Sequence, residues 1–184
     1  MNASAEVVTP PATSDIFTAP NGVTLQRSKL YVDGMGNAIA KLYTIDEQAP
    51  ADATDHLMAY YLDHNLIAAV NVPGADGRFT ADEVKAFSTS LTHAGLSGWD
   101  NPEIAQAVVL NDYTKEDPCV DTSVHPGVDS SGFWTKRQTK WTLDEAGSSR
   151  SFWYVLTNGG LVNHYYAYDR FRARPVRVAA PAGQ

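Results

Sequence analysis

The sequence predicts an α+β domain with twisted antiparallel sheets, two or three short helices, long loops and an extended amino-terminal arm. Three observations predict this fold class. Aromatic residues flank a glycine turn in the last quarter of the chain, a threonine–glutamate pair marks a helix start near the middle, and a proline-containing polar stretch begins the chain. With 184 residues and 43% apolar content, we expect one domain with a substantial core.

The amino-terminal 20 residues contain Pro10 and Pro11 among small and polar residues, a composition that does not fold alone. We expect an arm that either stays extended or becomes ordered on a neighbouring subunit. The domain itself is expected over residues 21–178, and residues 179–184 are expected to form a tail.

Hydrophobic spacing predicts the elements of the amino-terminal half. Two strands are expected over residues 23–32 and 38–45, on either side of a turn at 33–37. Apolar residues at spacings of three, one and three predict a helix over residues 55–64. A short apolar run predicts a buried strand over residues 66–72.

Two further helices are predicted from their start signals. Thr80 and Glu83 have the spacing of a capping box, in which each side chain satisfies a backbone donor of the other, and Gly95 is the expected stop. Pro102 is a favourable first-turn residue for another helix, which we expect to continue to Leu110.

The carboxyl-terminal half begins with a polar stretch, residues 111–131, which predicts a long ordered loop. The aromatic segments at 132–135 and 152–155, together with the aromatic residues after the following glycine turn, then predict antiparallel sheet in this region, because rings pack well across a pleated surface. The Asn-Gly-Gly turn at 158–160 supports the pairing, since glycine readily takes the positive φ of a tight turn.

The order of these segments resembles a known domain family, the one found at the carboxyl terminus of Lcl-type collagen-like adhesins. The segments are a capped helix, Gly-Leu-Ser-Gly-Trp at 95–99, Pro-Glu at 102–103, Gly-Phe-Trp-Thr at 132–135, Phe-Trp-Tyr-Val at 152–155, a glycine turn and Arg-Pro-Val-Arg at 174–177. The family is a variant of the C-type lectin fold, and it also resembles domains at the tips and surfaces of bacteriophage particles. The resemblance covers about residues 78–178 and implies a C-type-lectin-like fold.

The chain departs from the family pattern in two places. Asp100 and Asn101 stand where family members have a basic residue and leucine, and Thr157 stands where they have an aromatic residue. Residues 1–70 match no part of the family, and no binding site is carried over from it. Around the first departure we expect a helix-start turn, with Asn101 as the cap and Trp99 buried.

Charge divides the chain into an acidic and a basic part. The net charge is -7, yet residues 1–126 carry 6 Lys and Arg against 17 Asp and Glu, while residues 127–184 carry 8 against 4. An acidic body argues against nucleic-acid binding, which needs a clustered basic face. Four arginines are expected either to lie along a strand and pair with acidic residues of the first part or to form a basic binding stripe: Arg170, Arg172, Arg174 and Arg177.

The only cysteine, Cys119, excludes an intramolecular disulfide, and its acidic neighbours Glu116, Asp117 and Asp121 are expected to raise the pKa of its thiol. The first residues lack the basic and apolar regions of a signal peptide, and no run reaches the roughly 20 apolar residues of a membrane span. We therefore expect a protein made in a cytoplasm, without membrane insertion. The resemblance to domains of bacteriophage particles further implies a location in a virion, in which case that cytoplasm is the host's.

No catalytic signature is present, so we expect neither enzymatic activity nor a cofactor nor a metal. Residues 76–83 are similar to half of an EF-hand loop, but Val72 and Gly74 occupy the positions of its first two ligands. The five histidines lack zinc-ligand spacing. An enzyme stays open as an alternative only if acidic residues converge in space, such as Asp55, Asp63, Asp112 and Asp117.

The tyrosine-rich segment at 163–170 is the best candidate for a recognition surface. Tyrosines give large, rigid contact areas that end in a hydroxyl, and Asn, His and Arg add adaptable hydrogen bonds. Because successive side chains of a strand point to opposite faces of the sheet, a second interpretation is open. In it, Tyr165 or Tyr166, together with Tyr168, belongs to the core of the sheet. The predicted ligand-binding residues are Trp141, Asn163, His164, Tyr166, Tyr168 and Arg170.

These observations predict a non-enzymatic structural or adhesive protein of a bacteriophage virion, either a capsid decoration or a tail or receptor-binding component. Its expected partners are other virion proteins or a glycan or protein of the host surface. We also expect a homo-oligomer, because an arm can bury surface on a neighbouring copy. The alternative is a bacterial lectin-like module that binds glycans or surfaces.

Overall fold

The computed structural model describes residues 16–18, 24–44, 55–75, 77–138 and 150–179. Within these ranges the chain forms nine strands and two α-helices, so the predicted α+β class is confirmed. None of the described helices is long and apolar enough to cross a membrane.

The strands form two antiparallel sheets. In chain order the elements are β1 (Ile16–Thr18), β2 (Thr24–Val32), β3 (Ala38–Thr44), β4 (Met58–Tyr61), β5 (Leu66–Ala69), α1 (Ala81–Ser90), α2 (Ile104–Val109), β6 (Phe133–Gln138), β7 (Ser151–Val155), β8 (Val162–Tyr166) and β9 (Val176–Val178). The larger sheet has the order β1-β2-β3-β4-β5-β9, and the smaller sheet has the order β6-β7-β8. Strand β9 therefore brings the end of the chain back beside β5.

The predicted hairpin in the amino-terminal half is confirmed. Strands β2 and β3 pair across a turn in which the Asp33 carboxylate accepts the backbone N–H groups of Met35 (3.0 Å) and Asn37 (2.8 Å). This arrangement is an Asx turn, the structure that an aspartate at such a position favours. Gly36 takes a φ of +86°, which few other residues adopt without strain.

Both ends of the domain extend beyond the predicted limits. Residues 16–18 were placed in the arm, but they form β1, where Ile16 pairs with Gln26 of β2. Ala179 was placed in the tail, but it is buried and donates its backbone N–H to the Asn65 carbonyl at 2.9 Å. The rest of the predicted arm and tail lies outside the described residues.

The helix predicted over residues 55–64 is wrong. Strand β4 lies there instead, followed by a single 3-10 turn at Leu62–His64. The strand pairs with β3 on one side and β5 on the other, and three of its four residues are buried. A strand covered on both faces carries apolar residues without alternation, so its spacing imitates that of a helix. The neighbouring prediction is confirmed, because β5 is a short strand with all four residues buried.

The capping box at the start of α1 is confirmed. The Thr80 hydroxyl accepts the Glu83 backbone N–H at 3.3 Å, and a Glu83 carboxylate oxygen accepts the Thr80 backbone N–H at 2.8 Å. The helix ends at Ser90, one turn before the stop expected at Gly95.

Replacing Thr80 by alanine is expected to lower the free energy of unfolding by about 1 kcal/mol, because one helix-start N–H loses its acceptor. The matched control is Thr89→Ala in the last turn of the same helix, where the exposed hydroxyl donates to the Lys85 and Ala86 carbonyls. Urea denaturation measures both changes. Equal losses for the two variants would contradict a role for the capping box.

Helix α2 begins with a different cap from the predicted one. Glu103 is the capping residue, and its backbone N–H donates to the Gln106 side chain at 2.8 Å. Asn101 is buried instead, where its side-chain oxygen accepts the Ser88 hydroxyl at 2.6 Å. The prediction that Trp99 is buried is confirmed, since only 2% of it is exposed.

A shared core joins the two sheets. Ile39 and Tyr61 of the larger sheet lie in one cluster with Phe133 and Val155 of the smaller sheet and Leu110 after α2. Burial of these apolar side chains is the main driving force that holds the sheets together. Residues 111–131 contain no helix or strand, as predicted, and form a long ordered loop that is partly buried, with Val124 in the shared core.

Candidate functional site

The tyrosine-rich segment forms β8, which pairs with β7 in a tight hairpin. The Leu156 backbone N–H donates to the Leu161 carbonyl at 2.8 Å and closes the turn. Gly159 and Gly160 take φ values of +65° and +66° inside it. The register places Trp153 opposite His164 and continues along the ladder.

One face of this hairpin gathers four aromatic side chains. Directly opposite residues share a face, and so do residues two apart on a strand, so Trp153, His164 and Tyr166 lie on the same side. The rings of Trp153 and His164 meet edge to face, with centroids 5.5 Å apart. Tyr168, just after β8, stacks on Tyr166 with centroids 5.2 Å apart and planes 6° apart. We call these four residues the tyrosine face.

The tyrosines are exposed, so the interpretation that placed them in the core is wrong. The exposed fractions are 48% for Tyr165, 38% for Tyr166 and 66% for Tyr168. Strand β8 is the edge of the smaller sheet, and its last four residues are all exposed. The hydrophobic cluster beneath this sheet contains Tyr154 of the neighbouring strand β7 and Trp134 of β6.

The tyrosine face contains three of the six predicted ligand-binding residues: His164, Tyr166 and Tyr168. Asn163 lies on the opposite face, and its side-chain oxygen accepts the His164 backbone N–H at 2.8 Å. Arg170 is engaged elsewhere, since it donates to the Arg78 carbonyl at 2.9 Å and pairs with Glu83 at 3.2 Å. Trp141 lies outside the described residues.

Trp153 is the residue that the sequence prediction missed, although a signal for it was present. The register pairs Trp153 with His164 and Val155 with Val162, so the hairpin is centred between Asn158 and Gly159. Centring the hairpin on that turn in the sequence would have placed Trp153 opposite His164.

The outer edge of β8 is partly closed to pairing with another strand. Hydrogen bonds join Leu156 to Leu161 and Arg150 to Ala167, so by alternation the backbone groups of Val162, His164 and Tyr166 point away from β7. The Asn163 side chain occupies the His164 N–H, which lies in the middle of this row. A partner is therefore better recognised by the rings of the tyrosine face than by backbone pairing.

A second polar cluster lies where the long loop meets the β2–β3 hairpin. The Lys115 ammonium lies 2.9 Å from an Asp121 oxygen and 3.8 Å from an Asp112 oxygen, and the Tyr31 hydroxyl donates to Asp121. Burial and the bond to Asp121 raise the pKa of Tyr31 to about 12. Burial alone would raise the pKa of Asp121, but hydrogen bonds from Tyr31, Lys115 and Ser123 outweigh it and hold that pKa well below its usual range.

This cluster fastens the loop and does not present a reactive group. Asp112 accepts the Thr114 hydroxyl at 2.6 Å and the Gly34 backbone N–H at 3.3 Å, so internal donors occupy it. Within the described residues no group of His, Cys, Asp and Glu is arranged to hold a metal ion. The carboxylate that shares Lys115 with Asp112 is Asp121, which was not among the acidic residues named for a possible convergence.

Cys119 is not placed as a nucleophile. Its thiol is buried and donates to the Asp112 carbonyl at 3.3 Å. Burial raises the pKa of the thiol, and the charge of Asp112 adds to the increase. The direction agrees with the sequence prediction, but the acidic neighbour responsible is Asp112 and not Glu116, Asp117 or Asp121.

The carboxyl-terminal arginines do not share one strand. Arg170 pairs with Glu83 of the first part of the chain, as one interpretation expected. Arg172 instead forms a bidentate pair with Asp129, in which Nε donates to Oδ1 at 3.0 Å and Nη2 donates to Oδ2 at 2.6 Å. This pair lowers the pKa of Asp129. Of the four arginines, Arg177 is the one that belongs to a described strand, β9. They therefore fasten separate parts of the fold.

Comparison with known proteins identifies no relative of this chain. No protein-family model, curated protein or solved structure matches the chain. Inference about function rests on the site itself.

Proposed function

We propose that this chain is a non-enzymatic binding module of C-type-lectin-like fold that serves as a structural or adhesive component of a bacteriophage particle. The tyrosine face is its docking surface. The observation that carries the proposal is the exposure of stacked Tyr166 and Tyr168 beside His164 and Trp153 on an edge strand. Exposed tyrosines with polar neighbours are the side chains that recognition surfaces use most.

The packing of the matching segments supports the lectin-like part of the proposal. Strands β6 and β7, which carry two of the aromatic segments, pair with each other. Asp100 exchanges backbone hydrogen bonds with Val176, at 3.0 and 2.8 Å, and so joins the turn after Trp99 to β9. Segments that are far apart in the sequence therefore meet in one body, as a shared domain pattern requires.

The chemistry of the described polar groups supports a non-enzymatic role. The buried carboxylates Asp112 and Asp121 are held by internal donors, and the Cys119 thiol is buried with a raised pKa. A general base or nucleophile has to reach a substrate with a suitable pKa, and these groups do not.

The proposal is tested with the double variant Tyr166→Ala/Tyr168→Ala. The wild-type chain is expected to form an oligomer in light scattering and to co-sediment with a capsid or tail protein encoded by a neighbouring reading frame. The double variant is expected to lose that co-sedimentation, while its free energy of unfolding changes by less than about 1 kcal/mol, because both rings are exposed.

The control is Met35→Ala, which removes an exposed apolar side chain from the β2–β3 turn, outside the tyrosine face, and should leave co-sedimentation intact. A wild-type chain that is strictly monomeric and sediments with no capsid or tail protein would contradict the proposal. If the double variant still co-sediments with that protein, the docking surface lies elsewhere on the chain.

A bacterial glycan-binding module is the second candidate. The parallel pair of Tyr166 and Tyr168 favours it, because flat exposed rings also stack on the apolar faces of sugars. A glycan array separates the candidates. A saturable sugar signal that is lost in Tyr166→Ala supports the lectin-like module, and the absence of any signal supports docking onto proteins.

A further inference from the structure

Three turns meet at the end of the smaller sheet where the β7–β8 hairpin closes. They lie at residues 33–37, 112–117 and 158–161. The Gly34 backbone N–H donates to an Asp112 carboxylate oxygen at 3.3 Å, which joins the first turn to the second. The Gly159 backbone N–H donates to the Glu116 carbonyl at 3.0 Å, which joins the second turn to the third. The three turns therefore form one continuous surface, which we call the three-turn surface.

Each of the three turns contributes one exposed apolar side chain to this surface. The exposed fractions are 50% for Met35, 41% for Tyr113 and 54% for Leu161. The Tyr113 hydroxyl donates to the Gly160 carbonyl at 3.3 Å, so this ring is held in place beside the hairpin turn. Exposed apolar side chains that gather in one place mark interaction surfaces, and methionine and tyrosine are enriched in them.

The three-turn surface is acidic. Its residues include 4 Asp and Glu against 1 Lys, a net charge of -3. The lysine, Lys115, is already shared by the carboxylates of Asp112 and Asp121, at 3.8 and 2.9 Å. Glu116 and Asp117 are exposed beside the apolar side chains. A partner of this surface is therefore expected to combine apolar area with positive charge.

A groove with these properties lies at the other end of the smaller sheet. It has a volume of about 280 Å³ and lies between the start of α1 and the open ends of β6 and β7. Half-buried Phe152 supplies apolar area in it, and exposed Arg137 lies between two of its lining residues in the chain. Three cations and two carboxylates line the groove: Lys85, Lys136, Arg150, Asp82 and Asp100. We call it the basic groove.

The positions of the two surfaces determine how copies of the chain can join. Phe152 lies near the start of β7, and the hairpin turn follows the end of the same strand, so the basic groove and the three-turn surface lie at opposite ends of the sheet. A contact between two different surfaces at opposite ends repeats from copy to copy and builds a ring or a filament. Because neighbouring side chains of a strand alternate, Phe152 points away from the face that carries Trp153. The tyrosine face stays uncovered.

We propose that the three-turn surface of one copy docks into the basic groove of the next copy. The exposed carboxylates of Glu116 and Asp117 face the cations of the groove. The apolar side chains of the three turns lie against Phe152 and the aliphatic stems of the lysines. The inference rests on the proposed function in that it supplies the contact by which the expected homo-oligomer forms, and it leaves the tyrosine face for a capsid or tail protein.

Two charge reversals in the full chain test this contact, one on each surface. Glu116→Lys and Lys85→Glu are each expected to raise the dissociation constant of the oligomer at least about tenfold, because like charges then face each other. Both side chains are exposed, so neither change removes a buried contact. Asp55→Lys is the matched control, since it reverses an exposed charge before β4, outside both surfaces. Sedimentation-velocity ultracentrifugation measures all three variants.

Combining the variants shows whether the two surfaces contact each other. The double variant Glu116→Lys/Lys85→Glu exchanges the charges and is expected to assemble better than either single variant. In an equimolar mixture of the single variants, the unchanged three-turn surface of one meets the unchanged groove of the other, so we expect at least dimers. Dissociation constants like that of the wild type in both single variants would overturn the proposal, and so would a mixture that stays monomeric.

The apolar part of the contact has its own test. Leu161→Ala is expected to weaken assembly at least about fivefold without any change of charge, because the contact buries less apolar surface. Val178→Ala, which shortens a side chain that is 61% exposed on β9, is the control and should assemble like the wild type. Equal effects of the two variants would contradict docking through the three-turn surface.

Co-sedimentation with the capsid or tail protein is measured on the same samples. Glu116→Lys is expected to lose assembly and to keep co-sedimentation, whereas Tyr166→Ala/Tyr168→Ala is expected to keep assembly and to lose co-sedimentation. A wild-type chain that is monomeric and still co-sediments would overturn this contact and leave the proposed function standing. Assembly that is lost in Tyr166→Ala/Tyr168→Ala but not in Glu116→Lys would assign the contact between copies to the tyrosine face and overturn the inference.

Discussion

Replacing Trp134 by alanine is expected to lower the free energy of unfolding by about 3–5 kcal/mol, the loss that large-to-small changes of buried aromatic residues cause. The Trp134 side chain is fully buried, and its ring meets that of Phe171 edge to face with centroids 4.9 Å apart. It also packs against Phe152 and Tyr154 of β7. The cavity left by its removal would lie between the smaller sheet and α1, where Val84 belongs to the same cluster.

A hydrogen bond adds to the packing at this position. The indole N–H of Trp134 donates to the Phe79 carbonyl at 2.8 Å, directly before the capped start of α1. Trp134→Phe keeps a ring but removes this bond, so we expect a smaller loss of about 1–2 kcal/mol. The Phe79 carbonyl still accepts the Phe171 backbone N–H at 3.0 Å, which limits the cost.

The control for both variants is Trp153→Ala, because Trp153 is only half-buried and lies on the tyrosine face. Guanidinium denaturation, followed by far-ultraviolet circular dichroism, measures the three free energies on one scale. If Trp153→Ala costs as much as Trp134→Ala, then Trp134 is not the centre of the core under the smaller sheet.

The features that the sequence predicted correctly are those with a short-range cause. The turn at residues 33–37, which the structure shows as an Asx turn at Asp33, and the capping box at Thr80 each depend on hydrogen bonds within four residues. The β7–β8 hairpin depends on the glycines of its turn. Such local rules act in the same way whatever surrounds them, and they are therefore visible in the sequence.

The features that the sequence did not predict depend on the position of an element in the whole fold. Strand β4 was taken for a helix because its apolar spacing does not tell which faces are covered. The exposure of Tyr165 and Tyr166 follows from the edge position of β8, and alternation alone does not reveal that position. Three of the six predicted ligand-binding residues consequently lie together on the tyrosine face. The side chains of Asn163 and Arg170 instead form hydrogen bonds with other parts of the fold.

Asp100 and Thr157, two residues at which the chain differs from the adhesin-domain pattern that it resembles in sequence, have structural roles in this chain. Asp100 joins β9 through its backbone, and its carboxylate lies 3.3 Å from the Lys136 ammonium. The Thr157 hydroxyl donates to the Asp129 carbonyl and accepts the Gly132 backbone N–H at 3.3 Å. A threonine thus fastens the long loop to the start of β6, a hydrogen-bonding task that an apolar ring would not perform.

The buried cluster at Asp121 makes stability depend on pH in a predictable direction. Asp121 is 5% exposed, and its carboxylate accepts from Tyr31, Lys115 and the Ser123 backbone N–H at 2.9 Å. These bonds hold its pKa in the folded state below the unfolded value of about 3.9. The stabilisation is therefore complete above pH 4 and is lost as the pH falls below that value toward the folded-state pKa.

Asp121→Asn is expected to lower the free energy of unfolding at pH 7 by about 2–3 kcal/mol, because the charge that organises Tyr31 and Lys115 is gone. The loss is smaller than for a fully buried ion pair, since 41% of the Lys115 side chain reaches solvent. The difference between variant and wild type should shrink steadily as the pH is lowered below 4, where the wild-type carboxylate also loses its charge.

Urea denaturation at a series of pH values between neutral and strongly acidic measures this dependence. The matched control is Asp63→Asn, an exposed aspartate on the 3-10 turn, which is expected to lower the free energy of unfolding at pH 7 by less than Asp121→Asn does. A difference between Asp121→Asn and wild type that stays constant down to the lowest pH would show that the ionised carboxylate does not hold the loop. Asp121 would then act through charge-independent interactions that asparagine does not reproduce.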